Sequence, residues 1–171
     1  SHTAFLRSIS GGYGPGGTAI LIETLSDNKN RTVGDIRYAL TKNGGNLGAS
    51  GCVAYLFEKR GLLVFEGEDL DSDALLEAAL EAGAEDVIEG DGHCEVVTTS
   101  SELHAVQQSL GVQSFEPASA ELTMQPSTTV KLEGNDAEQR LRLADALEDL
   151  DDVQNFYANF ELSEEELERL A

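Results

Sequence analysis

The chain has 171 residues, 40% of them apolar, and a formal net charge of −21, enough length for one domain with a real core or for two small ones. No apolar run approaches the roughly 20 residues that span a bilayer and no signal-peptide pattern opens the chain, which points to a soluble, cytoplasmic protein with no membrane partner. Cys52 and Cys94 form no CxxC pair, and His93 beside Cys94 is the only close pair among the two cysteines and three histidines, which cannot complete a tetrahedral metal site, so disulfides, metals and other cofactors are not expected.

The charge is spread unevenly. From Ser1 to Arg60 seven basic residues stand against four acidic ones, which leaves −24 for the remaining 111 residues. An acidic body repels phosphate backbones, so any nucleic-acid contact is expected from the first sixty residues.

In chain order, Thr18 to Glu23 is a compact apolar run that reads as a strand. The glycines and Pro15 before it suit a tight turn leading into an edge strand. Val33, Ile36 and Leu40 recur at helical spacing, with Thr32 as the expected cap and Asn43-Gly44 as a left-handed C-terminal turn. Val53, Tyr55 and Phe57 alternate as in a strand with one face toward a core. Next come a strand at 62–66, a helix at 73–82 closed by Gly83, and a hairpin of 87–88 and 95–98 turning at Gly90-Asp91-Gly92. A helix ended by Gly111 and a strand at 120–124 complete this unit. After Pro126 a strand at 129–132, a helix carrying Leu143, Leu147 and Leu150, and a strand at 153–160 follow. Ser163 and Glu166 open a short capping-box helix.

The middle order of strand, helix, hairpin, helix, strand is ferredoxin-like, and the outer pieces lack partners until they are combined. The expected fold is therefore α+β, two ferredoxin-like α/β sandwich domains with one inserted into the other. The outer domain comprises about 1–58 plus 127–171 and the inserted one 59–126.

Chemistry is sparse. GYGPGG at 12–17 satisfies GxGxxG, but a strand follows where the dinucleotide fold needs a helix, and no Gly-Lys-Ser/Thr makes it a P-loop. No Ser sits in a GxSxG context. A ferredoxin-like acyl-phosphate hydrolase would need an arginine cradle and a water-holding asparagine. Arg31 and Asn30 would fill those roles, but no phosphate loop lies beside them. What remains is a polar, glycine-rich set, Lys29, Asn30, Arg31, Arg37, Lys42, Asn43, Asn46, Lys59 and Arg60. Such side chains hold phosphates and read unpaired bases, or simply cap helices and stay solvated. Tyr13, Tyr38, Tyr55 and Tyr157 can stack on bases, although the alternation places Tyr55 in a core.

Asn30 to Thr32, GGNLG at 44–48, VAYLFEK at 53–59, EAGAEDV at 81–87, PSTTV at 126–130 and LEDLDDVQN at 147–155, together with the GYGPGG turn, carry a resemblance. The chain resembles the YebC-type family of transcriptional and translational regulators, which includes the mitochondrial translational activator of cytochrome c oxidase. The resemblance implies a non-enzymatic regulator of gene expression, acting by DNA binding or as a ribosome-associated translation factor. The implied partners are duplex DNA or rRNA/tRNA and the ribosome, with a protein partner on the acidic inserted domain. It also leaves a mitochondrion or plastid as an alternative compartment. Family members begin with a basic helical domain, to which SHTAFLRSIS has no match, so that domain is expected to be absent from these 171 residues and to carry the strongest contacts. A different class of function, a small-molecule-sensing or protein-interaction module of paired ferredoxin-like domains, fits the same fold.

Overall fold

The computed structural model describes residues 4–90 and 92–171. Ser1–Thr3 and Asp91, the middle of the expected 90–92 turn, lie outside the described residues. In chain order the elements are β1 (Leu6–Tyr13), β2 (Ala19–Ser26), α1 (Lys29–Lys42), β3 (Asn46–Leu47), β4 (Phe57–Glu66), α2 (Ser72–Glu81) and β5 (Asp86–Gly90). They continue with β6 (His93–Thr99), α3 (Leu103–Val112), β7 (Ser119–Pro126), β8 (Val130–Lys131), α4 (Gly134–Glu148), β9 (Val153–Ala158), β10 (Phe160–Glu161) and α5 (Glu164–Leu170). The chain divides into two compact units, Ser1–Glu58 with Pro126–Ala171 and Lys59–Gln125. Both are α+β sandwiches.

The second unit has strand order β5-β6-β4-β7, the ferredoxin-like order in which the first strand lies between the third and fourth. Leu63, Phe65, Cys94 and Val96 point from its sheet into Leu75, Ala78 and Ala79 of α2 and Leu103, Val106 and Leu110 of α3. The 3.6-residue spacing of those helix positions gives each helix one apolar stripe. Gly83 (φ +100) closes α2, as its lack of a side chain allows, whereas α3 runs past Gly111 and turns at Ser114 (φ 68).

In the first unit the sheet order is β3-β1-β2-β9, with β1 antiparallel to β2 and β3 and β2 antiparallel to β9. Thus β2-α1-β3 is a split β-α-β with β1 between its strands, and α4 leads into β9 at the opposite edge. Ile20 and Ile22 of β2 meet Ile36, Ala39 and Leu40 of α1 and Leu143 and Leu147 of α4. Each such buried isoleucine or leucine side chain is worth about 1.5–3 kcal/mol relative to exposure.

This sheet keeps the expected strands at 18–23 and 153–160 but replaces the other two. β1 forms from LRSISGGY, whose small residues let α1 and β3 approach: a Cβ on Gly12 would lie 2.6 Å from the Asn46 carbonyl oxygen and 3.1 Å from Leu40 Cδ1. β2 is consequently a central strand and not an edge. Val53 is fully buried because Gly11 leaves room for it, a Cβ there lying 2.8 Å from Val53 Cγ2, and Ala54–Leu56 form a 3-10 turn in place of a strand. Tyr55 is 78% exposed and belongs to no core. The expected 129–132 strand shrinks to β8, which pairs in parallel with β10 in a separate two-stranded sheet.

Candidate nucleic-acid interface

The glycine-rich segment is a connector filled by the protein's own atoms. Pro15–Gly17 is a 3-10 turn between β1 and β2, Gly16 and Gly17 have φ +69 and +81, and the Thr18 hydroxyl donates to the Pro15 carbonyl at 2.6 Å. A Cβ on Gly16 would lie 2.6 Å from Leu132 Cδ2, so its bare backbone is used for packing and offers no seat for a phosphate.

α1 carries most of the expected site. Its cap is Asn28, whose Oδ1 accepts from the Arg31 N–H at 3.1 Å; Thr32, expected as the cap, is buried one turn inside the helix. Arg31 is not an available cation. Its Nη2 lies 2.9 Å from Asp27 Oδ1 and 2.8 Å from Asp152 Oδ2. The same Asp152 oxygen is 2.7 Å from the Thr32 hydroxyl and 3.2 Å from the Ser26 hydroxyl. Hydrogen bonds from Arg31, Thr32 and Ser26 hold the Asp152 carboxyl below its ordinary range. The group fastens the start of α1 to the loop before β9, which is a structural role.

Asn43 is also structural: it is buried, and its Nδ2 donates to the Ala39 carbonyl at 2.8 Å. Gly44 follows at φ +84, the left-handed turn expected there. Asn46 is exposed on β3 with its backbone opposite Tyr13. Lys42 is exposed and stands over the Tyr38 ring, 5.7 Å from its centroid. It shares a groove between α1 and α4 with Arg142 but also with Asp35, Asp145 and Asp149, a net acidic lining.

Lys29, Asn30 and Arg37 are exposed along α1, and neither Lys29 nor Arg37 makes an ion pair among the described residues. Lys29 and the exposed Arg7 line one hollow together with Ala4, Leu6, Val33 and hydroxyl residues whose side chains are already engaged, Ser8 with Thr24 and both Ser26 and Thr32 with Asp152. Arg7 lies on β1, a strand the sequence does not signal, and only its exposed cation marks it as a candidate beside the others. Asp27 lines the same hollow but is engaged by Arg31.

Lys59 and Arg60 lie in the second unit, on β4. Arg60 is half-buried with its Nε 3.2 Å from Glu85 Oε2, while Lys59 is exposed. That unit holds these two basic residues against fifteen acidic ones. The structure therefore does not gather all nine candidates. It groups Lys29, Asn30 and Arg37 on one helix, adds Arg7, and assigns Arg31 and Asn43 to holding the fold. Among the described residues no three His, Cys, Asp or Glu side chains are placed to share a metal ion, and burial raises the Cys94 thiol.

These features define a protein of two ferredoxin-like sandwiches, both net acidic, with exposed cations on the first unit and the stronger acidity on the second. The chain belongs to the TACO1/YebC family, whose model for the second and third domains matches residues 8–160. It is 53% identical over 168 residues to a probable transcriptional regulatory protein of Geobacter sp., covering 98% of this chain and 68% of the relative. It is likewise 53% identical over 159 residues to one of Acidithiobacillus ferrooxidans, covering 93% and 63%. The chain thus spans about two thirds of these curated relatives. A crystal structure of a conserved hypothetical protein from Aquifex aeolicus is similar at TM-score 0.86 and 41% identity, over 96% of this chain and 68% of that one. No described helix is long and apolar enough to cross a membrane.

Proposed function

We propose that this protein is a non-enzymatic regulator of gene expression that contacts nucleic acid through the Arg7–Lys29 corner and the outer side of α1. The observation that carries this reading is a pair of exposed cations, Arg7 and Lys29, that line one hollow and make no ion pair among the described residues, on a protein of net charge −21. Cations bind phosphate oxygens, and Asn30 and Arg37 extend the same surface along α1. The names of the bacterial relatives, probable transcriptional regulatory proteins, support regulation of gene expression. Engagement of Arg31 by two carboxylates argues against an acyl-phosphate cradle, which would need that guanidinium free. The acidic unit repels phosphate and suits a basic protein surface, and the bacterial cytoplasm is the compartment that fits.

The target is duplex DNA or ribosomal RNA. Co-sedimentation with purified ribosomes at low salt, with excess duplex DNA as competitor, separates them: pelleting that survives the competitor identifies the ribosome, and pelleting lost to it identifies DNA. Arg7→Glu with Lys29→Glu is expected to weaken either interaction at least tenfold and to reduce its salt dependence, because fewer counterions are released. Full retention of binding by that double variant overturns the assignment of the surface.

A further inference from the structure

The groove between α1 and α4 lies apart from the proposed nucleic-acid surface, since Lys29, Asn30 and Arg37 are not among its lining residues. Its charges follow a pattern set by the sequence. On α1 an acid precedes a base, Asp35 and Lys42; on α4 a base precedes an acid, Arg142 and Asp149. Both pairs are seven residues apart, two helical turns or about 10 Å, so each pair stays on one side of its helix. The two helices run in opposite directions. The Thr32 hydroxyl near the start of α1 donates to Asp152 just after α4. Gly44, just after α1, packs on Gln139 near the start of α4, where a Cβ would lie 2.7 Å from the Gln139 Oε1.

Reversed order on reversed helices gathers like signs, Asp35 and Asp149 at one end of the groove, Lys42 and Arg142 at the other. All four side chains are exposed, and none makes an ion pair among the described residues. Tyr38, 67% exposed, stands between the two ends, over a floor kept low by Ala39 and Ala146.

We propose that this groove is an interface between two copies of the chain, related by a two-fold axis that crosses α1 and α4 near Tyr38 and Ala146. That operation lays α1 antiparallel on α1 and α4 antiparallel on α4, so the acidic end of each copy faces the basic end of the other. Asp35 of one copy meets Lys42 of the other, Arg142 meets Asp149, and symmetry repeats both contacts. An axis along the groove would oppose like charges, so the pattern selects one orientation. An unrelated partner would have to carry the inverse pattern along two helices, whereas a second copy carries it by symmetry. A tyrosine at the centre of such a patch is an effective anchor. Asp145 near the axis and the net charge of −21 on each copy oppose the contact, so the association is weak and concentration-dependent.

Sedimentation equilibrium tests it at about 0.15 M salt, where repulsion between distant charges is screened beyond about 8 Å. From about 5 to about 300 μM the mean mass of the parent chain is expected to rise from 18.3 kDa toward twice that value. Lys42→Glu with Arg142→Glu makes both ends of the groove acidic, and Asp35→Lys with Asp149→Lys makes both ends basic. Each double variant alone is expected to keep the monomer mass, and an equimolar mixture of the two restores all four ion pairs and associates at least as strongly as the parent. Each double reversal moves the net charge of −21 by four, to −25 or −17, so both variants stay acidic and bulk attraction does not produce that recovery. A parent that stays monomeric across the range or a double variant that still dimerises alone overturns the interface. So does a mixture that stays monomeric although both variants keep the parent's circular dichroism spectrum. Should a double variant lose that spectrum, Tyr38→Ala decides, because removing an exposed ring leaves the fold intact: at least threefold weaker association is expected, and unchanged association overturns the interface.

Discussion

At the scale of single residues, the sequence marks polar side chains well but does not say which of them are spent on the fold. Arg31 and Asp152 are 121 positions apart, and only the folded chain puts guanidinium and carboxylate 2.8 Å from each other. Asp152 in turn accepts from Thr32 and Ser26, so its carboxylate joins three side chains of α1 and β2 to the loop before β9. Asp152→Asn is expected to lower the melting temperature at neutral pH. The folded-state pKa of Asp152 is depressed below the ordinary 3.8, so its stabilisation is complete above that value and is lost as pH falls through the lower, folded one. The gap in melting temperature between parent and variant should therefore narrow on acidification below pH 3.8. A gap that is constant across that range would show the carboxylate to be incidental. Two local signals match the structure. Asn43-Gly44 closes α1, and Ser163 accepts from the Glu166 N–H at 3.2 Å.

At the scale of elements, helices were the most legible. The stripe of Ile36, Ala39 and Leu40 meets Ile20 and Ile22 as periodicity requires, and Leu40 is fully buried. Leu40→Ala is expected to cost about 2–5 kcal/mol, read from urea denaturation, because it removes contacts to α4 and β2 and to the glycine surface of β1 at once. A cost under about 1 kcal/mol would mean that α1 is not seated as described. β1 was not legible because its sequence, rich in serine and glycine, has little strand propensity. It is a strand because β2 pairs along its whole length and α1 needs small residues beneath it. The 53–57 segment failed in the opposite direction. It alternates like a strand, yet the seat above Gly11 captures Val53 and forces a turn that presents Tyr55 to water.

At the scale of the whole molecule, two separate cores divide the chain. Leu63, Phe65, Leu75, Val96 and Leu110 belong to one, and Ile20, Ile22, Leu40, Leu143 and Leu147 to the other. The two passages of the chain between units run side by side, the Ser127 N–H donating to the Leu56 carbonyl at 2.8 Å, so the ends of the intervening segment are already adjacent. Residues 57–126 produced alone are therefore expected to fold into a cooperative α+β unit, with a sigmoidal thermal transition by circular dichroism. A featureless spectrum or a non-cooperative melt would mean that the unit depends on the rest of the chain.

The sequence by itself determined the family, the α+β class, the helices and the strong negative charge of the chain after Arg60. These depend on composition and short-range periodicity, which survive without knowledge of partners. Only the tertiary structure decided that β1 and not 53–57 supplies a strand, that Arg31 is neutralised while Lys29 and Arg7 are not, and that Tyr55 faces water. Each of those outcomes depends on a contact between residues far apart in sequence. Glycine surfaces, ion pairs and seats for single side chains exist only once the sheet has brought such residues together.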